Sequence, residues 1–529
     1  MIRTSVIAAL IAATLVTVSA TVRTTPSNAG NAPAVAISKA ASDRTYAPGN
    51  PTGQDRGREL ATVYCQTCHV LPEPDVLDQA TWVSKVFPVM RRFMGLDQVI
   101  NREKLPHDLQ ALYPTFPTLT EDEWFAIATY YVETAPKVLP AASRPPITMD
   151  LTRFVADTTT VNIQPPLTIM VKFDPQRQLI MFGDGIGSRL IVTDAKGSEQ
   201  AIIPLHGPPS YVAIDGDDWY VTDMGKLMPH DSAVGGLYSV HWNGTKTPQV
   251  TRILDSLRRP TNVNVVDLNG DGRKDYLICE FGNMIGRFGW YEILPKGKTV
   301  YHELIGRPGA VRARVTDING DKRPDILVQM AQAREGIFAF INKGKGRFEE
   351  KELLVFHPAF GSSYFDIVDY NDDGKPDIIL ANGDNGDYDA PPYKPYHGIR
   401  VFLNDGKMSF TEHLFLPVNG AYGAVLRDFD GDGDKDIMSI SYFADYRIDC
   451  RESLVYWEHQ ADGSFRPQSL KEADLGRWIV MDCADMDGDG DDDIILGNAS
   501  MGMGNVPKEL GERWMHQAQA YLLLRNTTR

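Results

Sequence analysis

From residue 145 onward the chain alternates short apolar, β-prone runs with polar turns, and the alternation repeats. Runs such as YLIC, ILVQ, IILA, IMSI and IILG each follow an acidic turn, a pattern that predicts short strands in repeated antiparallel units. Five turns share one motif: DLNGDGRKD from Asp267, DINGDKRPD from Asp317, DYNDDGKPD from Asp369, DFDGDGDKD from Asp428 and DMDGDGDDD from Asp485. Their starts lie 50, 52, 59 and 57 residues apart, the length of a propeller blade. Two earlier segments, MVKFDPQRQLIMFGD from Met170 and YVAIDGDDWYVTD from Tyr211, show strand, acidic turn and strand without the full motif, and bring the expected blades to seven. Within a blade the order is strand, aspartate loop, strand, variable loop, strand, short turn, strand. The last repeat ends after AYLLLRN with no fourth strand, so the β-prone stretch 147–155 (ITMDLTRFV) is expected to close the ring as the outer strand of blade seven.

Before residue 140 the periodicity changes to that of helices. GRELATVY, residues 57–64, places Leu60 and Tyr64 on one face, and Thr120 to Glu123 (TEDE) is a capping-box start for a helix whose apolar stripe is Trp124, Ile127, Ala128 and Tyr131. Between these helices stands Cys65-Gln66-Thr67-Cys68-His69. Two thiols separated by two residues and followed by an imidazole form the attachment pattern of a c-type haem, with the histidine as one axial ligand. Axial side chains for the other position are Met90, Met94 and His107. Two terminal helices around CxxCH resemble a small cytochrome c domain, which implies crossed helices with the haem beside them. The segment VFPVMRRFMG looks like the Leu-Pro-x-Met of related haem-and-repeat proteins, which favours Met90.

The five acidic turns carry their own chemistry. Carboxylates or amides at positions one, three, five and nine, with a backbone carbonyl at seven, form a curled loop of hard oxygen ligands suited to calcium. In chain order these are Asp267, Asn269, Asp271, Arg273 and Asp275; Asp317, Asn319, Asp321, Arg323 and Asp325; Asp369, Asn371, Asp373, Lys375 and Asp377. The last two loops supply Asp428, Asp430, Asp432, Asp434 and Asp436, then Asp485, Asp487, Asp489, Asp491 and Asp493. Position twelve, where an EF-hand needs a glutamate, is Ile278, Val328, Leu380, Ser439 or Leu496, so these are not EF-hands. The pattern resembles the FG-GAP or VCBS repeat of integrin-type propellers. It implies an all-β seven-bladed propeller with about five calcium ions; together with the CxxCH motif the expected architecture is a small all-α cytochrome c domain, carrying one covalent haem c, followed by that propeller.

The remaining composition fixes the setting. Met1 to Arg3 followed by an apolar run to Val18 and then Ser19-Ala20 is a secretory signal peptide over 1–20. Residues 21–55 form a disordered linker, 56–140 the haem domain and 145–529 the propeller. The expected location is periplasmic or secreted, with no membrane span after cleavage. A net charge of −16 argues against nucleic acid as a partner. Cys279, Cys450 and Cys483 read as isolated thiols. The variable loops must share one face of the disc, and the longest, GDNGDYDAPPYKPYHG from Gly383, carries Asp387, Tyr388, Tyr393, Lys394, Tyr396 and His397. Long polar and aromatic loops at a channel mouth are where a partner, a small molecule or a carbohydrate would bind. The expected function is one-electron transfer to a redox partner protein with the propeller as docking platform. The alternatives are a haem-linked dehydrogenase with its substrate site on the variable-loop face, and an adhesion or ligand-binding protein.

Overall fold

The computed structural model describes residues 53–99, 101–157, 161, 163–387, 392–502, 504–517 and 519–528. The expected signal peptide and residues 21–52 of the linker lie outside them. Residues 53–55 are not linker, because helix α1 (Gly53–Cys65) begins at Gly53, with Asp55 in its first turn where a carboxylate favours a helix start.

The β-prone runs form seven four-stranded antiparallel sheets among the described residues. Six of them span 168–204, 209–257, 260–305, 310–355, 362–417 and 421–468, and the seventh spans 478–526 plus one strand from the start of the ring. Neighbouring sheets pack face to face. Leu277, Phe288 and Trp290 of blade three, for example, meet Ala313, Ile326 and Phe338 of blade four. Covered on both faces, middle strands such as Asp325–Met330 and Gly336–Asn342 are buried at every position and lose the alternation of a one-sided strand.

The ring closes through Phe154–Asp157, which pairs antiparallel with Tyr521–Asn526 and becomes the outer strand of blade seven. Closure falls where the sequence placed it, but the strand is shorter and later than 147–155. Residues 147–151 run beside blade six instead. The Thr148 N–H donates to the Pro467 carbonyl at 3.1 Å, and the Ser469 N–H donates to the Thr148 carbonyl at 2.8 Å. The outer strand of blade six, Phe465–Gln468, has only four residues, and its open edge takes up the passing chain. The strap between the helical part and the closing strand is pinned elsewhere too. Arg144 reaches Asn419 and, at 3.2 Å, Glu452, while Arg451 Nη1 donates to the Ile147 carbonyl at 2.8 Å.

The helical part continues with α2 (Gln79–Thr81), which runs through a π-turn into α3 (Phe87–Phe93), then α4 (His107–Ala111) and α5 (Glu121–Thr134). The capping box is present: the Glu123 N–H donates to Thr120 Oγ1 at 3.2 Å and the Thr120 N–H to Glu123 Oε2 at 2.8 Å. Helices α1 and α5 cross at Gly57, where a Cβ would lie 2.3 Å from the Ala126 carbonyl oxygen and 2.5 Å from Tyr130 Cβ. Only glycine permits that approach.

Candidate functional site

Helix α1 ends at Cys65, so the fold delivers the CxxCH turn directly from a packed helix. Cys68 is exposed and Cys65 half-buried, and all five cysteines carry free thiols. Burial and the adjacent Cys68 thiol push the Cys65 pKa up to about 11. His69 Nδ1 donates to the Val70 carbonyl at 2.9 Å, which leaves the lone pair on Nε2. Burial lowers the pKa of this histidine. The segment after the motif is pinned by the Tyr131 hydroxyl, donating to the Pro72 carbonyl at 2.8 Å, and by Trp82 Nε1–H, donating to the Pro74 carbonyl at 2.8 Å. Cys65, Met90 and Met94 border one apolar core built on Leu60, Trp82, Trp124, Ile127 and Tyr131. The Met94 sulfur accepts a hydrogen bond from Thr118 Oγ1 at 3.3 Å. His107 is exposed at the start of α4.

The helical part sits on the variable-loop face of the disc. The Tyr396 hydroxyl, from the long loop of blade five, donates to the Val76 carbonyl at 3.0 Å, a few residues past the CxxCH motif. Ala359, from the linker between blades four and five, packs against the helical core. Arg258, from the linker between blades two and three, pairs with Asp108 at 3.2 Å. The face expected to receive a partner is therefore occupied in part by the chain's own first segment. Tyr388 lies outside the described residues. Lys394 and His397 of the same loop are buried at 4% and 1% exposure. Burial and the nearby Lys394 and Arg400 cations hold His397 well below the usual histidine range, so it stays neutral and supports the loop.

On the opposite face the five aspartate loops share one geometry. The carboxylate at position one accepts backbone N–H groups across the loop: Asp267 from Gly270 and Gly272, Asp317 from Gly320 and Lys322, Asp428 from Gly431 and Gly433. The carboxylate at position nine is fully buried in all five loops and accepts two more. Asp325 takes the N–H of Ile318 and of Asn342, and Asp436 those of Phe429 and His459. Burial pushes Asp436 and Asp493 up to about 6. Lys322 replaces the usual glycine yet keeps its left-handed backbone, φ 67° against 84° for Gly272. Oxygens of Asp317, Asp321 and Asp325, of Asp428, Asp430 and Asp432, and of Asp485, Asp487 and Asp489 converge to within 4.8 Å, close enough to share a cation.

The family profile described as FG-GAP-like repeat matches residues 317–380 and 369–439. Residues 317–439, with the loops at Asp317, Asp369 and Asp428, are FG-GAP repeats. A T-cell immunomodulatory protein homolog of Plasmodium falciparum (isolate 3D7) is 28% identical over 138 residues, 23% of this chain and 18% of its own length, so the chain spans under a fifth of that relative. An ancestral GH74 enzyme is 11% identical with a TM-score of 0.44, over 70% of this chain and 51% of that one. The structure of BBS1N in complex with ARL6DN is 10% identical with a TM-score of 0.41, over 70% and 96%.

The FG-GAP loops were legible from their aspartates, but two features of the ring were not. In blade one, which lacks the motif, Arg177 supplies the cation itself, bonding buried Asp174 at 2.8 Å and Asp217 at 2.9 Å. In blades three to five the cationic side chain at position seven, Arg273, Arg323 or Lys375, pairs with the carboxylate at position five of its own loop. Among the described residues no helix is long and apolar enough to cross a membrane.

Proposed function

We propose that the chain is an extracytoplasmic c-type cytochrome that passes single electrons to a partner protein, its helical part held on the loop face of a calcium-stabilised FG-GAP propeller. The observation that carries this reading is the donor set at the motif. Two unpaired thiols stand beside a histidine whose Nδ1–H is already committed to the Val70 carbonyl at 2.9 Å, so that Nε2 is the free donor. Met90 borders the same apolar core as Cys65, which suits a thioether as the second axial donor. Met94 is the weaker candidate because Thr118 already donates to its sulfur, and His107 is exposed to solvent. A haem bound there supplies a one-electron ferric/ferrous couple whose potential is set by the axial ligands and the surrounding apolar shell. Trp82, Trp124 and Tyr131 keep water from that shell, and Tyr131 and Trp82 fix the chain just after His69.

For calcium, the donor chemistry suits a hard dication, since each FG-GAP loop gathers carboxylate and amide oxygens with no nitrogen or sulfur donor. The buried carboxylates at position nine lie beside further acidic groups, a charge arrangement that a bound cation would relieve.

The test is spectroscopic. The protein matured in a host that attaches c-type haem should retain its pigment after denaturation in acid acetone. Its ferric spectrum should show the far-red charge-transfer band of methionine ligation, lost in Met90→Ala and kept in Met94→Ala. Absence of covalently retained haem would sink the reading, and loss of the band in Met94→Ala alone would reassign the ligand.

A further inference from the structure

The loop face of the propeller carries an arginine that neither the CxxCH motif nor the aspartate loops engage. Arg259 stands there, in the linker between blades two and three, with φ 48°. A left-handed backbone at a bulky residue costs of order ~1 kcal/mol or more, so the fold holds this side chain in place against a local preference. Its guanidinium lies 5.3 Å over the Phe281 ring and Nη2 reaches the Leu227 carbonyl at 3.4 Å, while Nε is buried without a partner. Among the described residues no carboxylate pairs with it. An unpaired guanidinium in such a place is costly unless an anion joins it.

The surroundings narrow the anion. Leu227, whose carbonyl Arg259 reaches, packs in one apolar cluster with Tyr422, whose ring stands 5.6 Å from Tyr442 and 6.1 Å from Phe443. Tyr422 and Asp384 each keep part of their surface open to solvent. Leu227, Ile169 and Met501 add an apolar wall beside the same rings. Arg477 is committed to Tyr442, its guanidinium 3.6 Å over that ring and its Nε donating to the Tyr442 carbonyl at 2.9 Å; this leaves Arg259 to meet an anion, one guanidinium suits a single carboxylate better than a phosphate dianion, and the rings and aliphatic groups favour an apolar body. We propose that this part of the loop face binds a small aromatic or apolar monocarboxylate, its carboxylate on Arg259 and its body against Tyr422 and Leu227. The inference depends on propeller residues alone and stands whether or not the haem reading does.

The probe is benzoate, titrated calorimetrically into the full chain, with benzyl alcohol as the uncharged counterpart. Benzoate should bind saturably in the millimolar range or tighter, and benzyl alcohol about tenfold or more weaker, a difference of about 1.4 kcal/mol. Arg259→Gln should weaken benzoate to the same extent. Arg334→Gln, on the same face but already paired with Glu352 at 2.6 Å, should leave it unchanged. No saturable benzoate binding, equal binding of the alcohol, or undiminished binding in Arg259→Gln would each overturn the proposal. Should Arg259→Gln fail to fold, the comparison of benzoate with benzyl alcohol on the native chain decides alone.

Discussion

Glu335 offers a quantitative test of how the loop face is held together. It is 1% exposed, ends the variable loop of blade four, and accepts the backbone N–H of Ser362 at the start of blade five. Its own carbonyl accepts the Phe356 N–H at 2.9 Å, so it staples the linker that carries Ala359 beneath the helical part. Burial pushes the carboxyl from its ordinary 4.5 up to about 7, with the Asp384 charge adding to the rise and the Lys394 ammonium opposing it. An acid whose folded-state pKa is raised binds its proton more tightly when folded. Its contribution to stability is therefore independent of pH below about 4.5, declines as pH rises through 7, and is a constant penalty above. Two to three pKa steps correspond to about 3 kcal/mol. Glu335→Gln mimics the neutral form and keeps the acceptor for Ser362. Urea unfolding followed by tryptophan fluorescence should find the variant near the native chain at about pH 5 and up to about 3 kcal/mol more stable at about pH 8. A difference that does not change between the two pH values, or a variant less stable at the higher one, would refute the assignment of a protonated buried carboxyl.

Two further outcomes test the remaining architecture. Gly57→Val should drive α1 and α5 apart, costing about 1–3 kcal/mol of overpacking in the helical part; near-ultraviolet circular dichroism of the aromatic core around Trp82 and Trp124 reads it, and an unchanged melting profile refutes the crossing. Removing calcium with a chelator should lower the melting temperature and readdition restore it, since a site with a dissociation constant near ~0.1 mM in ~1 mM calcium contributes about 1.4 kcal/mol. Identical melting with and without chelator would show that backbone N–H groups alone stabilise the loops.

What the sequence could show depended on whether the signal was local. The FG-GAP loops read clearly because one turn contains all their donors. The capping box at Thr120 and the helix entering Cys65 are equally local, and both are present. The closing strand was placed a few residues early, because nothing in ITMDLTRFV reveals that blade six has a four-residue outer strand with a free edge for Thr148. Lys394 and His397 belong to the long loop of blade five, and composition could not reveal that the folded loop buries them. Arg259 and Tyr422 come from different blades, so only the closed ring brings them near one another. Arg177 escaped notice because its role, a built-in cation for Asp174, lies in the pairing and not in a motif.

The pinned strap from residue 135 to 153 bears on how this protein meets others. Arg144, Ile147 and Thr148 tie it successively to the blade-five linker, the blade-six loop and the blade-six edge before Phe154 enters the ring. With Arg258, Ala359 and Tyr396 fastening the helical part itself, that part is mounted and not hung from an arm. A haem carried there, as proposed, would be presented at one address on the disc, and its exchange with a partner would follow collision geometry instead of the search time of a swinging domain.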